Sequence, residues 1–130
     1  MLLVEDEEAV MEFERDVLVG AGADVTTSMS VHDTQDRLRQ NSFDVIVMNG
    51  RMPGGISARE MYEWIAKNRP GQEKGLLLTS STMTDAETRS FLQEQTVPSL
   101  AKPFEVADLI AQVRALSQRD ASAASATSGA

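Results

Sequence analysis

Short apolar runs alternate with helix-like segments along nearly the whole chain, and that alternation limits the architectures open to it. Leu2-Leu3-Val4 is the first run, followed by Val10, Phe13 and Val17 at helical spacing until Gly20-Ala21-Gly22 stops the helix. Asp24 to Ser28 reads as a Thr/Val-rich strand, and Val31 to Arg39 as a helix with Ser30 as its N-cap. Phe43 to Met48 is apolar on nearly consecutive positions, which marks a strand covered on both faces. Ser57-Ala58-Arg59-Glu60 is a capping box opening a helix with Met61 and Ile65 on its inner face, and Pro70-Gly71 closes that unit. Leu76-Leu77-Leu78 is a further buried strand. Thr84-Asp85-Ala86-Glu87 opens a helix carrying Phe91 and Leu92, Val97 to Leu100 is the last strand, and Val106, Leu109, Ile110, Val113 and Leu116 form one stripe of the last helix. Five strand–helix units in succession predict an α/β fold: a doubly wound parallel sheet with helices on both faces.

At 130 residues the chain suits one domain. The reading places that domain at residues 1–117 and treats 118–130, mostly Ala, Ser, Thr and Gly, as a disordered low-complexity tail. A net charge of −8 excludes the basic surface that non-specific nucleic-acid binding requires. With no cysteine there is no disulfide framework, thiolate nucleophile or cysteine metal site. No apolar stretch spans a bilayer, and Met1-Leu2-Leu3-Val4 is too short for a signal-peptide core, so a cytoplasmic location without membrane contact is expected.

In parallel sheets of this kind the functional groups gather beyond the carboxyl ends of the strands. Four features fall there: the acidic pair Glu5-Asp6 after the first strand, Asn49 after the third, Thr79 after the fourth and Lys102 after the fifth. Taken singly, each has an ordinary explanation: a solvated loop, a strand-end amide, a strand-end hydroxyl, a surface lysine before a proline. Together they suit phosphoryl chemistry. Two carboxylates on one short loop repel unless a cation lies between them, and Mg²⁺ accepts such a sparse oxygen set. A hydroxyl and an ammonium nearby would hold transferred phosphoryl oxygens. The nucleophile that would complete the set is a carboxylate at position 49, where this chain has an amide.

Residues 2 to 116 resemble the response-regulator receiver domains of two-component phosphorelays. The resemblance rests on Leu3-Val4-Glu5-Asp6-Glu7, Asn49-Gly50-Arg51-Met52-Pro53, Thr79-Ser80 and Lys102-Pro103-Phe104. It implies a five-stranded flavodoxin-like sheet in the order 2-1-3-4-5 and a cis Lys102-Pro103 bond. It also implies Mg²⁺ held by Glu5, Asp6, residue 49 and the backbone carbonyl of Arg51. Thr79 and the residue at 99 would form the switch, and a histidine kinase or phosphotransfer domain would be the partner, with a second copy of the chain as a further one. The stretch from Thr84 to Phe104 is similar to receivers fused to the C-terminus of hybrid histidine kinases.

Two positions depart from the family pattern. Asn49 stands where the phosphoacceptor aspartate is expected, and Ser99 where an aromatic switch residue is usual. An amide forms no acyl phosphate and removes one charge from the metal cage, so the Mg²⁺ site should be weak or absent. Two origins fit: natural divergence into a pseudo-receiver that is no enzyme and regulates a kinase by docking, or an ordinary receiver carrying an engineered Asp-to-Asn change at residue 49. A purely structural or dimerising domain is a third reading.

Overall fold

The computed structural model describes residues 1–50, 56–80 and 86–128, with side chains through Gln118. Five strands, β1 (Leu2–Val4), β2 (Thr26–Ser28), β3 (Ile46–Asn49), β4 (Leu76–Ser80) and β5 (Ser99–Ala101), form one sheet in the order β2-β1-β3-β4-β5. All pairings are parallel. The helices are α1 (Glu8–Gly20), α2 (Val31–Gln40), α3 (Ala58–Asn68), α4 (Ala86–Gln95) and α5 (Val106–Ser128). This is the flavodoxin-like arrangement, with the sheet order that the family resemblance implied.

Alternation along the strands assigns side chains to two cores. Leu2, Val4, Ile46, Met48, Leu76 and Leu78 point to one face and pack with Leu38 of α2, Met61 and Ile65 of α3 and Phe91 of α4. Leu3, Val45, Val47 and Leu77 point to the other and pack with Met11 and Leu18 of α1 and Leu109, Val113 and Leu116 of α5. Both faces are covered, which is why the central strands are apolar at consecutive positions.

Local chemistry sets the helix starts. The Ser30 hydroxyl accepts from the Asp33 amide at 3.1 Å and the Ser57 hydroxyl from the Glu60 amide at 3.1 Å, as their N-cap positions require. Thr84 and Asp85, the first half of the proposed capping box of α4, lie outside the described residues.

One expectation is corrected. The buried stripe of α1 is Met11, Glu14 and Leu18, whereas Phe13 is 56% exposed and Val10 and Val17 are only half-buried. The sequence reading rotated the helix because it discounted the charged residue in the stripe. The last helix, α5, runs from Val106 to Ser128, and alanine, the strongest helix former, recurs along its second half.

Candidate functional site

The carboxyl ends of β1, β3, β4 and β5 bring Glu5, Asp6, Asn49, Thr79 and Lys102 to one end of the sheet. Glu5 follows β1 directly and is 1% exposed. Its Oε1 accepts from the backbone amides of Asp6 at 3.1 Å and Glu7 at 3.3 Å, so the turn into α1 fixes the carboxylate. Its Oε2 accepts from the Lys102 ammonium at 2.8 Å. Lys102 follows β5, with its amide bonded to the Ser80 carbonyl and a cis bond to Pro103.

Asn49 ends β3, in register with Thr79 of β4. Its Nδ2 donates to Glu5 Oε1 at 3.0 Å and to Asp6 Oδ1 at 3.1 Å. Carboxylate oxygens only accept, so they fix which side of the amide carries nitrogen. The amide thus bridges the two carboxylates of the loop. Next to it, the Gly50 amide donates to the Thr79 carbonyl at 2.7 Å. A Cβ on Gly50 would lie 3.0 Å from both Cβ and Oγ of Ser80, so β4 crowds this residue and favours glycine. Thr79 is buried, and Ser99 is half-buried opposite Leu78. Arg51, whose carbonyl was assigned to the metal, lies outside the described residues.

Sequence reasoning missed Glu14. It is 1% exposed on the inner face of α1, and neither of its carboxylate oxygens has a hydrogen-bond partner among the described residues. Burial pushes its carboxyl up to about 7, the neighbouring Glu5 carboxylate pushes in the same direction, and the Lys102 ammonium opposes them. The signal was present in the spacing Met11, Glu14, Leu18, which is a regular helical stripe once charge is disregarded.

The donor set fits a hard divalent cation poorly. Glu5 Oε1 already takes three N–H donors and Oε2 an ammonium. The amide hydrogens of Asn49 lie on the carboxylate oxygens of Glu5 and Asp6 that a bridging cation would use, and no carboxylate is present at 49.

A βαβ sheet in this order, with its acidic pair, hydroxyl and lysine at the strand ends, defines a class of signalling domain. The family model for the response regulator receiver domain matches residues 1–114, and the chain belongs to that family. The swarming motility regulation protein RssB of Serratia marcescens is 26% identical over 127 residues, covering 98% of this chain and 57% of RssB. The chain therefore spans little more than half the length of that curated relative. The receiver domain of a Francisella response regulator superposes with a TM-score of 0.80 at 21% identity, over 91% of this chain and 95% of the other. A CheY-like receiver domain protein from Methanospirillum hungatei JF-1 gives 0.82 at 17% identity, over 93% and 94%. At these identities the two structures speak for the fold. The chain is thus a response regulator receiver domain of two-component signalling, and no helix among its described residues is long and apolar enough to cross a membrane.

Proposed function

We propose that this receiver domain takes no phosphoryl group at residue 49 and acts in the cytoplasm by docking to a histidine kinase or phosphotransfer domain. The observation that carries the reading is the Asn49 amide bonded to both Glu5 and Asp6. It holds together two carboxylates that would otherwise repel, and it offers no carboxylate oxygen to attack phosphorus. Thr79 and Lys102 keep their strand-end places without a nucleophile to serve. Mg²⁺ binding is correspondingly weak, with Glu5, Asp6, Asn49 and the Arg51 carbonyl as the oxygen set. Docking is assigned to α1, whose outer side presents Glu12, exposed Phe13 and exposed Val19, with Arg15 half-exposed beside them.

The test is incubation with acetyl phosphate and Mg²⁺ followed by intact mass spectrometry. No stoichiometric phosphoryl adduct on residue 49 is expected, and such an adduct would refute the reading. The second origin, an engineered Asp-to-Asn change, is favoured by the retention of Glu5, Asp6, Thr79 and Lys102 around the amide. The codon for residue 49 in the natural gene decides between the two.

A further inference from the structure

A groove of about 390 Å³ opens between the end of α4 and the body of α5, where the chain enters β5. It meets β5 at its amino end, whereas Lys102 follows the carboxyl end of that strand. The way α4 stops builds the groove. The Val97 amide donates to the Leu92 carbonyl at 3.0 Å, a bond that spans the last turn and brings the chain back against it. Thr96, between helix and strand, has a φ of +54°, a left-handed conformation that glycine enters freely and a β-branched residue only under strain. Strain of this kind clusters at ligand clamps. Leu92, Val97, Pro98 and Leu116 supply the apolar lining, and Gln93 and Gln112 supply carboxamides. The volume is that of a small-molecule site.

Two features define what the groove takes. Charged residues make up 25% of the chain, yet none lines it. A charged ligand would give up water there and meet no opposite charge. The side chains of Gln93 and Gln112 make no hydrogen bond among the described residues. Each carboxamide offers donors and an acceptor together, so its complement is another amide. We propose that this groove binds an uncharged small molecule with an aliphatic body and one amide group. The body lies against Leu92, Val97, Pro98 and Leu116, and the amide exchanges hydrogen bonds with Gln93 and Gln112. The only buried residue of α4 is Phe91, so a molecule wedged against α5 gives that helix a second anchor. The groove shares no residue with the strand-end cluster, and it works whether or not residue 49 takes a phosphoryl group.

The experiment titrates the full chain with three probes that share one aliphatic body: hexanamide, hexanoate and hexylamine. Methyl NMR signals of Leu92, Val97 and Leu116 report on the groove. Hexanamide is expected to shift them saturably, with a dissociation constant of roughly 1 to 10 mM for so small a molecule. The two charged probes should bind at least about tenfold more weakly. Hydrogen exchange of the α4 amides should slow in saturating hexanamide. Ala115→Phe places a bulky side chain at an exposed position of the lining and should abolish the shifts. Gln93→Ala/Gln112→Ala leaves the apolar lining intact and should weaken hexanamide by about tenfold. The absence of saturable shifts overturns the proposal, as does equal binding of the three probes. Binding by the folded Gln93→Ala/Gln112→Ala variant as tight as that of the unaltered chain overturns it too.

Discussion

Each face of the sheet buries polar side chains, and the two faces treat them differently. On the face covered by α2, α3 and α4, Thr34 is fully buried, but its hydroxyl lies 2.9 Å from the Ser28 hydroxyl and donates to the Ser30 carbonyl at 2.7 Å. On the face covered by α1 and α5, Glu14 is as deeply buried, and its carboxylate oxygens have no hydrogen-bond partner among the described residues. The first face is a satisfied structural core. The second gives up stability where it approaches the strand-end cluster. A buried polar group with partners belongs to the fold, and one without them points to a use elsewhere.

The largest effect should come from breaking the satisfied face. Ile65 is fully buried among Met61, Leu76 and their neighbours. Ile65→Ala is expected to lose roughly 2 to 5 kcal/mol in urea unfolding through lost burial and a residual cavity. On the other face the expected sign reverses. Glu14→Leu should raise stability by roughly 2 kcal/mol at pH 8, because it removes an unpartnered carboxylate from the core.

The same residue gives a pH signature. Its carboxyl sits near about 7 in the folded chain against an ordinary value of 4.5. Between those values the folded state binds its proton more firmly than the unfolded state. The contribution is therefore present below about 4.5, falls as pH rises, and is gone above about 7. Urea midpoints of the unaltered chain should decline across that window relative to those of Glu14→Gln. Parallel curves would show that Glu14 titrates as an exposed carboxyl.

Thr34→Val sharpens the contrast. It should cost about 1 kcal/mol by leaving Ser28 without its hydroxyl partner, although it adds an apolar group to the core. The smallest effect belongs to Ser57→Ala. Loss of the bond from the Glu60 amide should cost about 1 kcal/mol or less, seen as a small drop in thermal midpoint.

How much of this was legible in the sequence varies with the kind of signal. The strand–helix alternation and the strand-end residues could be read because apolar runs and turn residues are local signals, whereas the sheet order came only from the family resemblance. The caps at Ser30 and Ser57 were legible for the same reason, each needing only a few consecutive residues. The rotation of α1 was not, because Glu14 looked like a surface charge and Phe13 like a core aromatic. Which helical face is buried depends on the partner surface, and here α5 and the underside of β1 decide it. The bridge from Asn49 to Glu5 and Asp6 was equally invisible, since a carboxamide leaves no trace of its donors in the sequence. What the sequence did carry was the position of the amide, and so the question to ask of it.

The Gly50 amide bonded to the Thr79 carbonyl has a bearing on chemical ageing. An asparagine followed by glycine is, in a free peptide, the pair most prone to lose ammonia. The glycine nitrogen closes on the side-chain carbonyl, and the ring then opens to aspartate or isoaspartate. Here that nitrogen is engaged at 2.7 Å, the glycine is crowded by Ser80, and the Asn49 side chain is turned to Glu5 and Asp6. Closing the ring would first break the hydrogen bond from the Gly50 amide to Thr79 of β4. This geometry opposes the loss of ammonia at Asn49, so peptide mapping of an aged sample should find the amide intact.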